Sequence, residues 1–459
     1  MHLTGTMKIN NRGHLEIGNV DSLELVRDFG TPLWVIDEAG LRQNCRSLKQ
    51  AFARLGESLV IYAAKALCTS AICRVIADEG LGLDVVSGGE LYTAVKAGFP
   101  AEKIFFHGNN KSREEIVMAV QAGTGRIVVD NFYELKLLDT ICAELGRKQD
   151  ILLRITPGVE AHTHEYIQTG QIDSKFGFTL PDGQAMEGVI EALSRENVNL
   201  VGLHCHIGSQ IFAMSSFQYT ASIMMDFMAE VKNRAGYELD ELDMGGGFGI
   251  YYYPGDEICD PEDWAEAVML TVEAKAGELG IKRPRVIVEP GRSIAGSAGI
   301  TLYTAGSVKE VTGIRKYLAV DGGMGDNVRP ALYGSQYSAV IANRAAEEPA
   351  EKVSIAGKCC ESGDMLIWDA ELPPVNPGDI IAVFATGAYN YTMSSNYNRL
   401  PRPAMVLVNN GSADLILKRE SYEDLIRNDI IPGRLGKEIN ADPSVWNLHS
   451  CNKVGPRIT

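Results

Sequence analysis

The sequence predicts an α/β fold: a closed (β/α)8 TIM-type barrel followed by a C-terminal all-β domain that includes the N-terminal strand. Two observations support the barrel: apolar runs and helical patterns alternate through the first two thirds of the chain, and capping signals separate them. A third concerns the rest of the chain. After about residue 295 short strand-like runs alternate with turn residues and few long helical patterns intervene. We therefore expect a barrel at residues 38–292 and a β-rich domain at residues 1–37 plus 293–459.

The apolar runs are rich in β-branched residues, which is typical of parallel strands buried on both faces. Eight such runs over roughly 230 residues match a closed barrel in number and size, and an open doubly wound sheet is the alternative. The expected barrel strands lie at residues 60–65, 83–87, 104–108, 127–130, 151–155, 200–207, 242–244 and 285–292. A further strand near Trp34 is expected to join the β-rich domain.

Helix signals lie between these runs. Ser112 stands three residues before Glu115, which is the spacing of a capping box. Gly80, Gly98 and Gly123 stand where helices should end. The predicted helices include residues 70–79, 89–97, 112–122 and 132–145.

Composition narrows the class of protein. The 459 residues are 45% hydrophobic and carry a net charge of -16, which disfavours nucleic acid and anionic membranes as partners. No apolar run is long enough to span a bilayer, and the N-terminus has no basic-then-apolar signal segment. The nine scattered cysteines favour reduced thiols, so we expect a cytoplasmic protein.

The eighth run ends in Glu289, Pro290, Gly291 and Arg292. The C-terminal end of a barrel strand is where catalytic groups are placed. A fixed anion beside a fixed cation suits a ligand that has a cationic ring at one end and a phosphate at the other. A salt-bridged loop after a core strand is the structural alternative.

Lys65 ends the first barrel strand in an apolar setting. A lysine there is costly unless it is paired or used covalently. Desolvation is expected to lower its pKa, as an amine that forms a Schiff base requires. A buried ion-pair lysine is the alternative.

A glycine-rich loop, with Gly245, Gly246 and Gly247, follows the seventh strand. Consecutive glycines let backbone N–H groups approach an anion closely, and barrel phosphate sites commonly follow strands seven and eight. We favour phosphate binding over a simple tight turn, with Ser209 as a plausible hydroxyl donor.

His204 and His206 are expected on one face of one strand, because strand side chains alternate with a period of two. The pair could bind a metal with His107 and Asp130, or one ring could stack on a planar cofactor while the other packs in the core. We expect no metal site.

Two parts of the β-rich domain carry reactive side chains. Glu361 directly follows Cys360, and an adjacent acid disfavours the thiolate, so this thiol suits a proton donor if it does more than pack. Arg329 and Tyr333 lie in one turn-rich segment and Tyr389 in another, where they could bind a carboxylate or phosphate or simply order a loop. The long polar segment 158–177 is a candidate lid.

Taken together, these residues make the sequence resemble the fold-type III pyridoxal-phosphate decarboxylases over nearly the whole chain. One departure concerns residues 62–67, where the family usually ends this motif in asparagine and this chain has Leu67. The strongest marks are residues 83–91, 204–209, 289–292, 360–364 and the loop 160–177, the last two being rarer outside the branch that acts on diaminopimelate.

The resemblance implies pyridoxal 5'-phosphate as cofactor, with Lys65 joined to it as an imine. His206 would stack on the ring and Glu289 would pair with the protonated ring nitrogen. Cys360 would reprotonate the product from the partner subunit of a homodimer. The remaining residues expected at the cofactor are Ser209, Gly245, Gly246, Gly247, Pro290, Gly291, Arg292 and Tyr389, and those expected at the substrate are Arg292, Arg329, Tyr333, Glu361 and Tyr389.

The implied reaction is decarboxylation of meso-2,6-diaminopimelate to L-lysine and CO2, the last step of lysine biosynthesis. Three alternatives remain open. They are a related decarboxylase acting on ornithine, arginine or carboxynorspermidine, a pyridoxal-phosphate racemase, and a cofactor-carrying binding protein without turnover.

Overall fold

A small antiparallel sheet and one helix open the chain. The structure, a computed structural model, describes residues 2–158 and 173–435 of the chain. The first elements are β1 (Lys8–Ile9), β2 (Leu15–Ile17), β3 (Val20–Asp21), α1 (Ser22–Phe29) and β4 (Leu33–Asp37). The side chain of Asp21 accepts a hydrogen bond from the backbone N–H of Leu23, which caps α1.

Parallel strands and helices then alternate around a barrel. These elements are α2 (Glu38–Arg54), β5 (Ser58–Ala63), α3 (Ser70–Asp78), β6 (Gly82–Val85), α4 (Gly88–Lys96), β7 (Ile104–Phe106), α5 (Arg113–Ala122), β8 (Arg126–Val129), α6 (Phe132–Leu145), β9 (Gln149–Thr156), β10 (Phe178–Thr179), α7 (Gln184–Leu193), β11 (Val198–His204), α8 (Met214–Ala235), β12 (Glu241–Asp243), α9 (Pro261–Leu279) and β13 (Arg285–Val288).

The barrel closes because its last strand pairs with its first. The eight parallel strands follow the order β5, β6, β7, β8, β9, β11, β12, β13, and β13 pairs with β5. Short β10 adds to the end of β9. The predicted (β/α)8 barrel is therefore confirmed, and the open sheet is excluded.

The local signals that predicted the helices hold in the structure. Ser112 and Glu115 form both hydrogen bonds of a capping box at the start of α5. Gly123 ends the same helix in the left-handed region at φ 76°. The start and end of this helix could be predicted from the sequence, because helix caps are formed by residues that are close together in the chain.

The rest of the described chain is mostly sheet. Its elements are α10 (Arg292–Ala295), β14 (Gly299–Val311), β15 (Arg315–Val320), α11 (Arg329–Tyr333), β16 (Ala339–Ile341), β17 (Glu351–Ala356), β18 (Met365–Leu372), β19 (Ile380–Val383), β20 (Ala404–Asn409), β21 (Ser412–Leu417) and α12 (Tyr422–Ile426). The order is β18, β17, β15, β14, β4, β20, β21, with β19 between β14 and β16.

The expectation that the N-terminal strand joins this sheet is confirmed, because β4 pairs with both β14 and β20. The proposed boundaries at residues 38–292 stay a prediction. Inter-residue contacts group the chain into one compact unit up to Arg419 and a second from Glu420 onward. Within the described residues, no helix combines the length and apolarity needed to cross a membrane.

Two local expectations are corrected. Strand β11 ends at His204, so His206 lies in the following loop and the two rings do not share a strand face. Lys65 lies in a single 3-10 turn, Ala64–Ala66, after β5 rather than on the strand itself. Both side chains therefore lie at the rim of the barrel, beyond the ends of the strands on which they were expected.

Candidate active site

A small, largely enclosed cavity lies at the C-terminal ends of the barrel strands. Its walls come from the loops after β5, β11, β12 and β13, together with the segment around Tyr389. The lining residues are Lys65, His206, Ser209, Gly247, Phe248, Glu289, Gly291, Arg292 and Tyr389. Eight of these nine were expected at the cofactor from the sequence, Phe248 being the exception.

The carboxylate of Glu289 is the buried anion of this cavity. Its Oε2 lies 3.4 Å from His204 Nε2, and its Oε1 lies 2.9 Å from His107 Nε2 without a directed hydrogen bond. Burial alone would raise the pKa of Glu289, but the facing His107 and His204 rings outweigh it and hold that pKa well below its ordinary value. The group is therefore a carboxylate at neutral pH, with one oxygen open to a further donor.

Lys65 faces two carboxylates. Its Nζ lies 3.6 Å from Asp84 Oδ2, and its side chain remains 40% exposed toward the cavity. Burial alone would lower the pKa of Lys65, yet Asp84 and Glu289 outweigh it and raise that pKa. The expectation of a lowered pKa is therefore wrong, because acids from neighbouring barrel strands stabilise the ammonium by more than burial destabilises it.

His206 is held by the glycine-rich loop. The backbone N–H of Gly246 donates to His206 Nδ1 at 3.2 Å, which leaves the ring proton on Nε2. Burial, followed by the cations of Lys65 and Arg154, lowers the pKa of His206 well below its ordinary value, so the ring is neutral. A neutral ring fixed by the backbone is suited to stacking on a planar ligand.

Arg292 supplies the buried cation at the other end of the cavity. Its Nη2 donates to Ser209 Oγ at 2.8 Å and its Nη1 donates to the Tyr252 hydroxyl at 2.6 Å. The adjacent loop requires glycine, because a Cβ on Gly246 would lie 2.1 Å from the Glu289 carbonyl oxygen and Gly247 has φ 105°. The Gly247 backbone and the Arg292 guanidinium thus line the same cavity, which suits a phosphate.

The remaining cofactor candidates frame this end. Pro290 accepts a backbone hydrogen bond from Ala63 at 3.2 Å and ties the loop after β13 to β5. A Cβ on Gly291 would lie 3.0 Å from the Cβ of Ala63, so the two loops are in contact. The carbonyl oxygen of Gly245 accepts from the backbone N–H of Glu289 at 2.8 Å, which fixes the acid relative to the glycine-rich loop.

Four of the five expected substrate residues meet at or beside the cavity. The guanidinium of Arg329 lies 5.5 Å from the ring centroid of Tyr389 and 5.5 Å from that of Tyr333. The Tyr389 ring also lies 4.8 Å from the guanidinium of Arg292. Two arginines therefore approach one aromatic ring, and both are buried, at 5% and 7% exposure.

Cys360 and Glu361 lie elsewhere on the same chain. Both are exposed and neither lines the cavity. The backbone N–H of Cys360 donates to Asn398 Oδ1 at 2.7 Å, and Asp364 accepts from the backbone of Cys359 at 2.7 Å, which orders the loop. Within one chain the structure does not bring these two residues to Lys65.

Among the described residues, one group of side chains has the composition of a metal site. His107, His204 and Glu289 each offer a ligand atom, and these atoms lie within 4.8 Å of one another. The grouping differs from the metal alternative considered from the sequence, because Glu289 replaces His206 and Asp130. Most of the candidate lid, residues 159–172, lies outside the described residues.

Sequence reasoning missed Asp84 and Tyr252. Asp84 is an acid within an otherwise apolar predicted strand, and a charge in that position signals a buried partner. Tyr252 stands in a run of three tyrosines, 251–253, and nothing in the sequence separates it from the exposed Tyr253.

Comparison with known proteins identifies the class first. Residues 38–296 match the family model described as pyridoxal-dependent decarboxylase, pyridoxal binding domain. The matched segment is more than half of the chain and contains the whole barrel. The barrel and its cavity thus have the sequence pattern of a pyridoxal-binding decarboxylase domain.

Similarity to individual proteins identifies the branch of the pyridoxal-dependent decarboxylases to which the chain belongs. The diaminopimelate decarboxylase of Bacillus subtilis (strain 168) is 54% identical over 431 residues, covering 94% of this chain and 98% of that protein. The crystal structure of diaminopimelate decarboxylase from M. jannaschii has a TM-score of 0.88 and 40% identity, covering 94% of this chain and 99% of that one. The Helicobacter pylori enzyme complexed with L-lysine has a TM-score of 0.82 and 32% identity, covering 89% and 98%. The chain belongs to the diaminopimelate decarboxylase family.

The cavity fits the cofactor of that family, pyridoxal 5'-phosphate. Three features of the cavity match three groups of this cofactor: the primary amine of Lys65, a carboxylate oxygen of Glu289 without a hydrogen bond, and the buried guanidinium of Arg292 beside the glycine-rich loop. Lys65 suits the aldehyde of the cofactor, Glu289 suits its protonated ring nitrogen, and Arg292 suits its phosphate.

Acid should destabilise the cofactor-free protein through His204. Burial lowers the pKa of His204 to about 4, from 6.5 in the unfolded chain. Between those values the unfolded state binds one more proton, so stability falls by about 1.4 kcal/mol per pH unit as pH drops. In His204→Gln the pH dependence of stability should be shallower by that amount.

Thermal unfolding of both proteins across this pH range measures the difference. Above pH 7 neither state carries the extra proton, so the two curves should run parallel there and serve as the internal control. Equal slopes at acid pH would show that His204 is protonated in the folded protein.

Proposed function

We propose that this chain catalyses the decarboxylation of meso-2,6-diaminopimelate to L-lysine and CO2, the last step of lysine biosynthesis. The observation that carries the proposal is the buried carboxylate of Glu289, which has one oxygen without a hydrogen bond and lines the same cavity as Lys65 and Arg292. A carboxylate kept ionised in an apolar barrel is costly unless a cation binds it. A protonated pyridine ring is such a cation.

The chain would hold the cofactor through residues of four barrel loops. Arg292, Ser209 and the backbone N–H of Gly247 would bind the phosphate, and Gly246, whose N–H donates to His206, would lie beside it. Gly245, Pro290 and Gly291 would keep the surrounding loops close enough for that contact, and Tyr389 would close this end. The neutral His206 ring would lie against the flat face of the cofactor.

Decarboxylation leaves an electron pair on the α-carbon of the substrate, and the reaction requires a group that accepts this pair. When bound, the cofactor supplies a pyridinium ring that accepts the electron pair left on the α-carbon as CO2 departs. Glu289 would keep the ring nitrogen protonated, since its own carboxylate form is strongly favoured in this site. Lys65 would provide the amine that holds the cofactor, and Asp84, 3.6 Å from its Nζ, would act as its counter-ion.

The distal end of the substrate carries its own ammonium and carboxylate groups. Arg329, with Tyr333 and Tyr389 around it, is matched in charge to the carboxylate, and Arg292 borders the same space. Glu361 is matched to the ammonium group. Cys360 would donate the proton that replaces the carboxyl group on the α-carbon.

A homodimer with shared sites would bring the last two residues into place. Cys360 and Glu361 do not line the cavity of their own chain, and both are exposed. A second copy that presents this loop would complete the site. All eight cysteines in the described residues are free, which is consistent with the reducing environment of a cytoplasm.

Carbon dioxide release from a panel of amino acids tests the proposed substrate. We expect turnover with meso-2,6-diaminopimelate to exceed that with ornithine, arginine or carboxynorspermidine by about 100-fold or more, because only this substrate satisfies the distal charges. Preference for another amine would assign the chain to a related decarboxylase. Inverted substrate without CO2 would indicate a racemase, and no reaction with any amine would indicate a binding protein.

Mixing two inactive variants tests the shared site. Lys65→Ala and Cys360→Ala subunits, refolded together, should regain about a quarter of wild-type activity, because half of the random dimers are mixed and each has one intact site. Cys360→Ala alone gives the baseline. Activity that stays at that baseline would place Lys65 and Cys360 in the same chain's site.

A further inference from the structure

Two buried arginines next to the cavity have no acidic partner. Arg292 and Arg329 are 5% and 7% exposed. Both donate hydrogen bonds to hydroxyl groups, and neither forms an ion pair within the described residues. Burying a guanidinium without a counter-charge is expensive. Other groups must therefore orient these two side chains when no anionic ligand is present.

Tyr252 contacts both cations. Its hydroxyl accepts a hydrogen bond from Arg292 Nη1 at 2.6 Å, and its ring centroid lies 5.6 Å from the Arg292 guanidinium and 5.7 Å from that of Arg329. The residue itself comes from the barrel loop after β12, where its backbone N–H donates to Asp256 at 2.9 Å. It is buried, at 6% exposure.

Tyr337 completes the arrangement from the β-rich region. Its hydroxyl accepts from Arg329 Nε at 2.9 Å. Its ring meets that of Tyr252 edge to face, with centroids 5.2 Å apart and an interplanar angle of 86°. The two rings belong to one apolar cluster that joins the loop after β12 to the sheet. Each arginine is thus held by a different phenol, and the phenols pack on each other.

We propose that Tyr252 and Tyr337 are positioning residues that hold Arg292 for the cofactor phosphate and Arg329 for the substrate carboxylate. The proposal rests on the function proposed above. A neutral phenol orients a guanidinium without cancelling its charge, whereas an aspartate or glutamate would compete with the incoming anion. The edge-to-face contact fixes the separation of the two cations across the junction of barrel and sheet.

The two tyrosines should therefore have separable effects. In Tyr252→Phe the cofactor-free protein should bind pyridoxal 5'-phosphate about tenfold more weakly, because Arg292 loses its hydroxyl acceptor. Binding of pyridoxal, which lacks the phosphate, should be unchanged. In Tyr337→Phe the KM for meso-2,6-diaminopimelate should rise about tenfold, while kcat and the affinity for pyridoxal 5'-phosphate stay at the wild-type values.

Absorbance titrations with both aldehydes and steady-state kinetics provide these values. Tyr303→Phe is the matched control, since it removes a buried hydroxyl of the same apolar cluster, the one that donates to Asp326 at 2.5 Å, and touches neither arginine. It should leave both affinities and KM unchanged.

Three outcomes would overturn the inference. The first is wild-type affinity for pyridoxal 5'-phosphate in Tyr252→Phe together with wild-type KM in Tyr337→Phe. The second is an equal loss of pyridoxal and pyridoxal 5'-phosphate binding in Tyr252→Phe. The third is the appearance of the same losses in the Tyr303→Phe control. Failure of the wild-type protein to take up either aldehyde would instead refute the proposed function.

Discussion

The ionised carboxylate of Glu289, buried at the mouth of the barrel, is the constraint on which the rest of the site depends. It lies between the rings of His107 and His204, and burial lowers the pKa of His204 to about 4, so that ring is neutral at physiological pH. The carboxylate is therefore stabilised by polar contacts with these rings and by the nearby charge of Lys65. Lys65 and Asp84 extend the same network, so protonation at one member changes the others.

The barrel topology is what assembles this network. Strand β13 lies between β12 and β5, and this order places the Glu289 loop between the glycine-rich loop and Lys65. Backbone hydrogen bonds from Glu289 to Gly245 and from Ala63 to Pro290 connect the Glu289 loop to the glycine-rich loop and to the end of β5. The sheet then adds Arg329 and Tyr389 from the other side. The barrel thus keeps the charged groups of Glu289 and Lys65 at fixed positions, although both are costly to bury.

The sequence predicted the parts of the molecule that local chemistry determines. The alternation of strands and helices, the capping box at Ser112 and the rim positions of Glu289 and Arg292 follow from neighbouring residues. The raised pKa of Lys65 did not, because it depends on Asp84 from another strand. Nor did the roles of Tyr252 and Tyr337, which meet only when barrel loop and sheet pack together. Contacts between residues that are far apart in the chain, such as these two tyrosines, leave no repeating pattern in the sequence from which they could be predicted.

Replacing Glu289 with glutamine tests the central claim most directly, because the shape of the side chain is kept while its charge is removed. Turnover should fall by about 100-fold or more, since the ring nitrogen loses the group that keeps it protonated. Borohydride reduction followed by peptide mapping should still label Lys65, and the affinity for pyridoxal 5'-phosphate should change by less than about tenfold. Near-wild-type turnover, or equal losses of turnover and cofactor affinity, would contradict the account.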